Sequence, residues 1–206
     1  MSHDILILVS LVLVLIFLDR LVNVSPSLVA CVIRWKESIN LEASVKLGRD
    51  RNLMALLMLL PFCLVATRFR LYDPAFMSTM DDTARLGVIL AVAIAYVLLR
   101  AMLTYLLRNG KISPKPYQAA CNSFYTFFIM LTLCLLAMAG IMSFMDMEPE
   151  VIKNAMLWLS AMAYVVFLLR KTQIFMSSCS LFTAFSYLCA LEIIPTGALT
   201  VSAFVF

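Results

Sequence analysis

The sequence predicts an all-α protein, a polytopic transmembrane helix bundle of about six spans with one amphipathic interfacial helix. Three observations carry this expectation. Apolar residues make up 64% of the chain and charged residues only 14%, where soluble domains run near half and a quarter. Apolar stretches long enough to cross a hydrocarbon core of about 30 Å recur along the 206 residues. The basic residues between them are distributed unevenly. The longest polar interval, Asp19 to Asn52, is itself rich in apolar residues, so residues 1–206 are expected to form a single membrane domain.

The first span is predicted over about 5–24. Ile5 to Leu18 has the length of a signal-peptide core, but the leader Met-Ser-His-Asp carries no Lys or Arg and no small-x-small cleavage site follows. A retained helix is expected instead. Ser25-Pro26 then reads as an N-cap followed by proline at the first helical position, which starts a new helix over about 26–47. Its apolar residues Leu28, Val32, Trp35 and Ile39 recur at helical period, with Arg34, Lys36, Glu37, Asn40 and Glu42 on the other face. That pattern suits a helix lying in the membrane interface with Trp35 at headgroup depth. It equally suits a cytoplasmic helix packed on the loops of its own bundle.

The second span, about 53–67, is short and contains Pro61, so Arg68 and Arg70 would have to snorkel. Asp73-Pro74 and Asp81-Asp82 follow. The paired aspartates invite a metal or acid-base reading, but carboxylates ahead of a helix also cap its free N–H groups and favour the positive end of its dipole. The third span, about 86–107, is stopped by Asn109-Gly110 and by the loop Ser113-Pro114-Lys115-Pro116. Arg100 falls inside it, where it either snorkels or joins an intramembrane ion pair. The fourth span, about 124–144, is rich in Met and Leu. The fifth, about 151–169, follows Pro149 and ends at Arg170-Lys171, leaving a tight hairpin before the sixth, about 174–194.

Assigned to loops, 12 of the 16 basic residues lie on one side, after spans one, three and five, and 4 on the other. Basic loops stay cytoplasmic, so both termini are expected on the far side. Six cysteines are scattered without a C-x-x-C pair and read as small apolar residues.

In the last helix, Ser180, Thr183, Ala184 and Tyr187 share one face, and the Ser180/Ala184 pair permits close helix contact. That stripe reads as a packing seam. Glu192 is expected near the outer hydrocarbon boundary, level with the outer-loop cations Arg68, Arg70 and Arg85 and far from Arg100. Pro195 removes its own N–H bond and clashes with the Leu191 carbonyl, so a bend is expected there. The tail to Phe206 would then lie along the membrane or fold back. Phe185-Ser-Tyr-Leu-Cys-Ala-Leu-Glu-Ile-Ile-Pro195 resembles the closing signature of an uncharacterised family of multi-pass inner-membrane proteins of Bacteroidota, often encoded near uroporphyrinogen-III synthase. The resemblance implies that Tyr187, Cys189, Glu192 and Pro195 are signature positions and that the chain sits in a bacterial inner membrane. It implies no chemistry.

A catalytic constellation is missing from the sequence, whose single histidine is His3, and no catalytic, cofactor or metal role is expected. Neither is nucleic-acid binding, since loop orientation accounts for the net charge of +4. The expected function is a scaffold or assembly subunit of a larger membrane complex, whose partners are the lipid bilayer and other inner-membrane proteins or further copies of itself. The alternative is a small-solute or ion transporter using Glu192 and Arg100, because buried charges and interrupted helices mark substrate sites.

Overall fold

A computed structural model describes Val12 and residues 18–77, 79–108, 113–145 and 147–205. Among the described residues every regular element is helical: α1 (Leu18–Ile33), α2 (Trp35–Ala43), α3 (Val45–Arg68), a 3-10 turn (Ala75–Met77), α4 (Asp82–Leu106), α5 (Pro114–Phe144), α6 (Pro149–Met176), α7 (Leu181–Leu188), a π-helical segment (Cys189–Ile193) and α8 (Ile194–Val205). The fold is an all-α helix bundle. Five stretches are long and apolar enough to cross a membrane: α3, α4, α5, α6 and the composite Leu181–Ala203. Most of the first expected span lies outside the described residues.

The helix ends depart from expectation in an instructive way. Ser25-Pro26 starts no helix, because α1 runs through Pro26. The chain turns instead at Arg34 and Ser44, each a single extended residue between helices. At the first turn, Arg170 Nε on α6 donates to the Val32 carbonyl at 2.8 Å, satisfying an oxygen that the end of α1 leaves free. At the second, Ser44 caps α3 by accepting from the Leu47 N–H. The expected interfacial helix is therefore divided among the end of α1, all of α2 and the start of α3, and α2 packs on α3, α5 and α6. Trp35 is half-buried against Tyr117, Ile174 and Phe175 and their neighbours. Glu42, expected on the solvated face, turns inward instead: it pairs with the buried Arg51 of α3 and accepts from Asn122 Nδ2 of α5 at 3.1 Å.

Later boundaries move as well. The second span begins at Val45 and includes Arg49 and Arg51, and Pro61 is carried within a continuous helix. The expected loop at Pro114 and Pro116 is the first turn of α5, where proline's missing N–H costs nothing. The hairpin placed at Arg170-Lys171 lies instead at residues 177–180, so both basic residues belong to α6. Pro195 does not end the last helix. Asp81 takes the N-cap position of α4 but its side chain makes no capping hydrogen bond.

α3 ends in a Schellman arrangement. The Leu71 N–H bonds the Ala66 carbonyl at 3.0 Å and the Arg70 N–H bonds that of Thr67 at 3.3 Å, with Arg70 at φ 49°. A left-handed conformation strains any residue with a Cβ. Arg70→Gly is therefore expected to stabilise the protein by about 0.5–1 kcal/mol. Thermal unfolding in detergent checks this, and an unchanged or lowered midpoint would contradict it.

α5 forms the centre of the bundle. It packs against α3 and α6, meets α2 near its start and meets α1 about its middle, around Ile129. The last helix closes the bundle between α4 and α6. Large apolar side chains cover the outside, among them Leu98 and Met102 of α4, Trp158 and Met162 of α6, and Phe182 of α7, while Arg51, Arg85, Arg100, Lys171 and Glu192 are buried. Apolar residues outside and charges inside are the distribution expected when lipid is the solvent. Together with the apolar helices it fits an integral membrane protein.

Candidate functional site

Three charged side chains from three helices meet at one oxygen in the bundle interior. Glu192 Oε1 accepts from Arg100 Nε at 3.1 Å, from Arg100 Nη2 at 2.5 Å and from Lys171 Nζ. Lys171 and Glu192 are wholly buried and Arg100 is 4% exposed. The Arg100 guanidinium also lies 4.0 Å from the Phe124 ring centre and donates to the Cys121 carbonyl at 3.2 Å. Lys171 Nζ is 5.7 Å from both the Phe167 and Phe175 rings. Glu192 Oε2 is buried with no hydrogen-bond partner among the described residues.

The expected separation of Arg100 from Glu192 is thus overturned, and the reason is register. With the hairpin at 177–180 the last helix starts at Leu181 rather than Ile174, which lowers Glu192 by about 10 Å along its axis. It then sits in mid-span, about 16 Å from the turn, while Arg100 and Lys171 lie about 8–9 Å from the ends of α4 and α6 on the same side. Long side chains cover the remainder. Arg85, one of the cations expected near Glu192, bonds the Met77 carbonyl at 2.9 Å and faces Asp73 at 3.8 Å instead.

Pro195 shapes the site within a helical segment that continues past it. Its ring would collide with the Leu191 carbonyl in a regular α-helix. The turn ahead of it opens into a π-helix, in which the Ile194 N–H reaches back to the Cys189 carbonyl. The wider turn lets two consecutive residues, Leu191 and Glu192, both face the interior with no exposure. Cys189 begins this segment and is half-buried. Tyr187 lies two residues before it, stacked on Phe175 at 5.8 Å and edge-on to Tyr117 at 6.0 Å, and Ala184 is fully buried. Of the expected seam, Ala184 and Tyr187 are covered by the chain's own α5 and α6, whereas Ser180 precedes α7, is exposed and shares a hydrogen bond of 2.9 Å with Thr183.

Polar groups continue on both sides of the triad. One turn beyond it, Tyr96 and Thr196 share a hydrogen bond of 3.0 Å, and the buried Tyr164 hydroxyl beside Thr196 has no partner among the described residues. Further along, Tyr72 and Ser202 meet at 2.9 Å. Toward the turn side, a cavity of about 170 Å³ opens between α4 and α5, with Arg100, Thr104, Asn122 and Tyr125 in its wall. Asn122 links it to Glu42 and Arg51.

Sequence reasoning missed Lys171, Tyr96, Tyr164 and the role of Asn122. For Lys171 a signal was present. Nothing in Thr172 to Met176 breaks a helix, whereas Ser177, Ser178 and Ser180 form a small-polar cluster of the kind that does. No curated protein and no solved structure matches the chain. A family model does match, over residues 4–200, and the chain belongs to that family, described as Domain of unknown function (DUF4271).

Proposed function

We propose that this protein carries a small ion or solute across a bacterial inner membrane, with Arg100, Lys171 and Glu192 at the centre of its path. The observation that supports this most is the convergence of two cations and one carboxylate, from α4, α6 and the last helix, on a single oxygen in mid-bundle. Burying charge in a membrane domain is costly and marks ion pathways and substrate sites. The π-helical turn that presents Glu192 is a device found often at functional sites. Polar groups flank the triad on both sides, from Asn122 to Ser202. A scaffold role draws on the small size of the chain, its methionine-rich fourth span and the last-helix seam, and of that seam Ala184 and Tyr187 are covered within the chain while Ser180 is exposed.

The inner-membrane setting rests on the resemblance of the closing signature. The orientation rests on charge: with Arg100 and Lys171 assigned to the interior, ten basic residues still lie on the proposed cytoplasmic side against four on the other. Single cysteines at Ser2 and Lys111 in a cysteine-free background test it. Outside labelling at Ser2 alone is expected, and labelling at Lys111 alone would reverse the map.

Transport is tested with purified protein in liposomes loaded with a pH-sensitive dye, under imposed proton, chloride and acetate gradients. Protein-dependent flux is expected, and it should vanish in the triple variant Arg100→Gln, Lys171→Met, Glu192→Gln. Replacing a whole buried charge network by neutral groups of similar volume is often tolerated, so this variant should remain folded. If the triple variant is abundant and still rescues a deletion strain, and the wild type purifies with a stoichiometric partner but moves no ion, the scaffold is the better reading.

A further inference from the structure

We infer that the cavity between α4 and α5 binds a small monovalent anion, held by Arg100 against the surplus positive charge of the triad. The inference rests on the transport reading and names its substrate class. The charge balance comes first. Arg100 and Lys171 together bring two positive charges and Glu192 one negative, while Glu42, which accepts from the wall residue Asn122, is paired with Arg51. With Lys171 protonated the cluster carries a net charge of one among apolar helices, which is relieved when Lys171 gives up its proton or when an opposite charge joins it. One monovalent anion brings the cluster to neutrality, whereas a cation would double the excess.

The donors and the space agree with that ligand. Arg100 commits Nε and Nη2 to Glu192 and the Cys121 carbonyl, while Nη1 makes no hydrogen bond among the described residues and is not fully enclosed. Arg100 lines the cavity together with Thr104, Tyr125 and Asn122, residues that carry hydroxyl or amide donors. A cationic fork beside neutral hydroxyl and amide donors suits a planar oxyanion. The volume of about 170 Å³ holds roughly five waters at about 30 Å³ each, enough for formate, nitrate or acetate with one or two waters and too small for a sugar acid. Its position on the side of the 177–180 turn sets it beside the triad at the proposed cytoplasmic end, where Arg100 is shared between the bound anion and Glu192.

The test measures thermal unfolding of the full-length protein in detergent across a titration of sodium nitrate, formate or acetate. Sodium gluconate replaces them at constant ionic strength. A saturable rise in midpoint is expected with the small anions over gluconate, because a ligand that binds only the folded state stabilises it by mass action. Thr104→Val, which removes a wall hydroxyl and no charge, should weaken the apparent affinity about tenfold. Lys171→Met, which removes the surplus charge and leaves the Arg100–Glu192 pair, should abolish the rise. Superimposable curves for every salt, or a Lys171→Met protein with undiminished affinity, would overturn the site. Anion binding without flux in the liposomes supports the site and removes the transport reading. Proton flux without anion-dependent stabilisation removes the site and leaves transport standing.

Discussion

Glu192→Leu alone is expected to destabilise the protein by about 3–5 kcal/mol, the usual consequence of breaking a buried ion pair from one side. The substitution strips Arg100 and Lys171 of their shared acceptor where Lys171 has no exposure and Arg100 only 4%. Two uncompensated cations then remain among Phe124, Phe167 and Phe175. Lys171→Met should cost far less, since it leaves one cation facing one carboxylate. The triple neutral variant should recover most of what Glu192→Leu loses, a strong non-additivity that marks one coupled network. Membrane abundance and unfolding midpoints of the three variants decide the matter. Equal and small effects throughout would mean that the three groups do not act as one network.

Glu42→Ala is expected to have the second largest effect, about 2 kcal/mol, although it lies far from the triad in sequence. Glu42 joins α2 to α3 through Arg51, whose side chain is 2% exposed, and to α5 through Asn122. Asn52 Oδ1 still accepts from Arg51 Nε and Nη2 at 3.1 and 2.9 Å in the variant, which keeps the cost below that of stranding a charge outright. Release of α2 should also show as faster proteolysis between residues 34 and 44, where the chain is held by single extended residues. A variant with wild-type midpoint and wild-type proteolysis would show that apolar contacts of Trp35 and Leu41 hold α2 without the ion pair.

Composition and apolar run length determined the class of this protein without any coordinates. A chain with this many apolar residues and so few charges is hard to pack in water, and hydration and backbone hydrogen bonding favour the bundle of long apolar helices observed. Arg100 and Glu192 were also legible as costly residues inside apolar stretches, and the closing signature pointed at Glu192 and Pro195. Pairing was not legible, because it depended on where the last hairpin turns. A basic pair such as Arg170-Lys171 reads as a loop when charge is taken to prefer water, yet the tertiary structure supplies a carboxylate for Lys171 and a carbonyl for Arg170 that water would otherwise provide. Seven residues of register then decided whether Glu192 faced lipid headgroups or a second helix. The effect of Pro195 was likewise conditional. A proline breaks the hydrogen-bond ladder of a regular helix, but between α4 and α6 the helical chain continues through Pro195 and the turn ahead of it is a π-turn that aims Glu192 inward. The sequence specified which groups needed partners, and only the packing of α4, α5 and α6 around the last helix determined which partners they found.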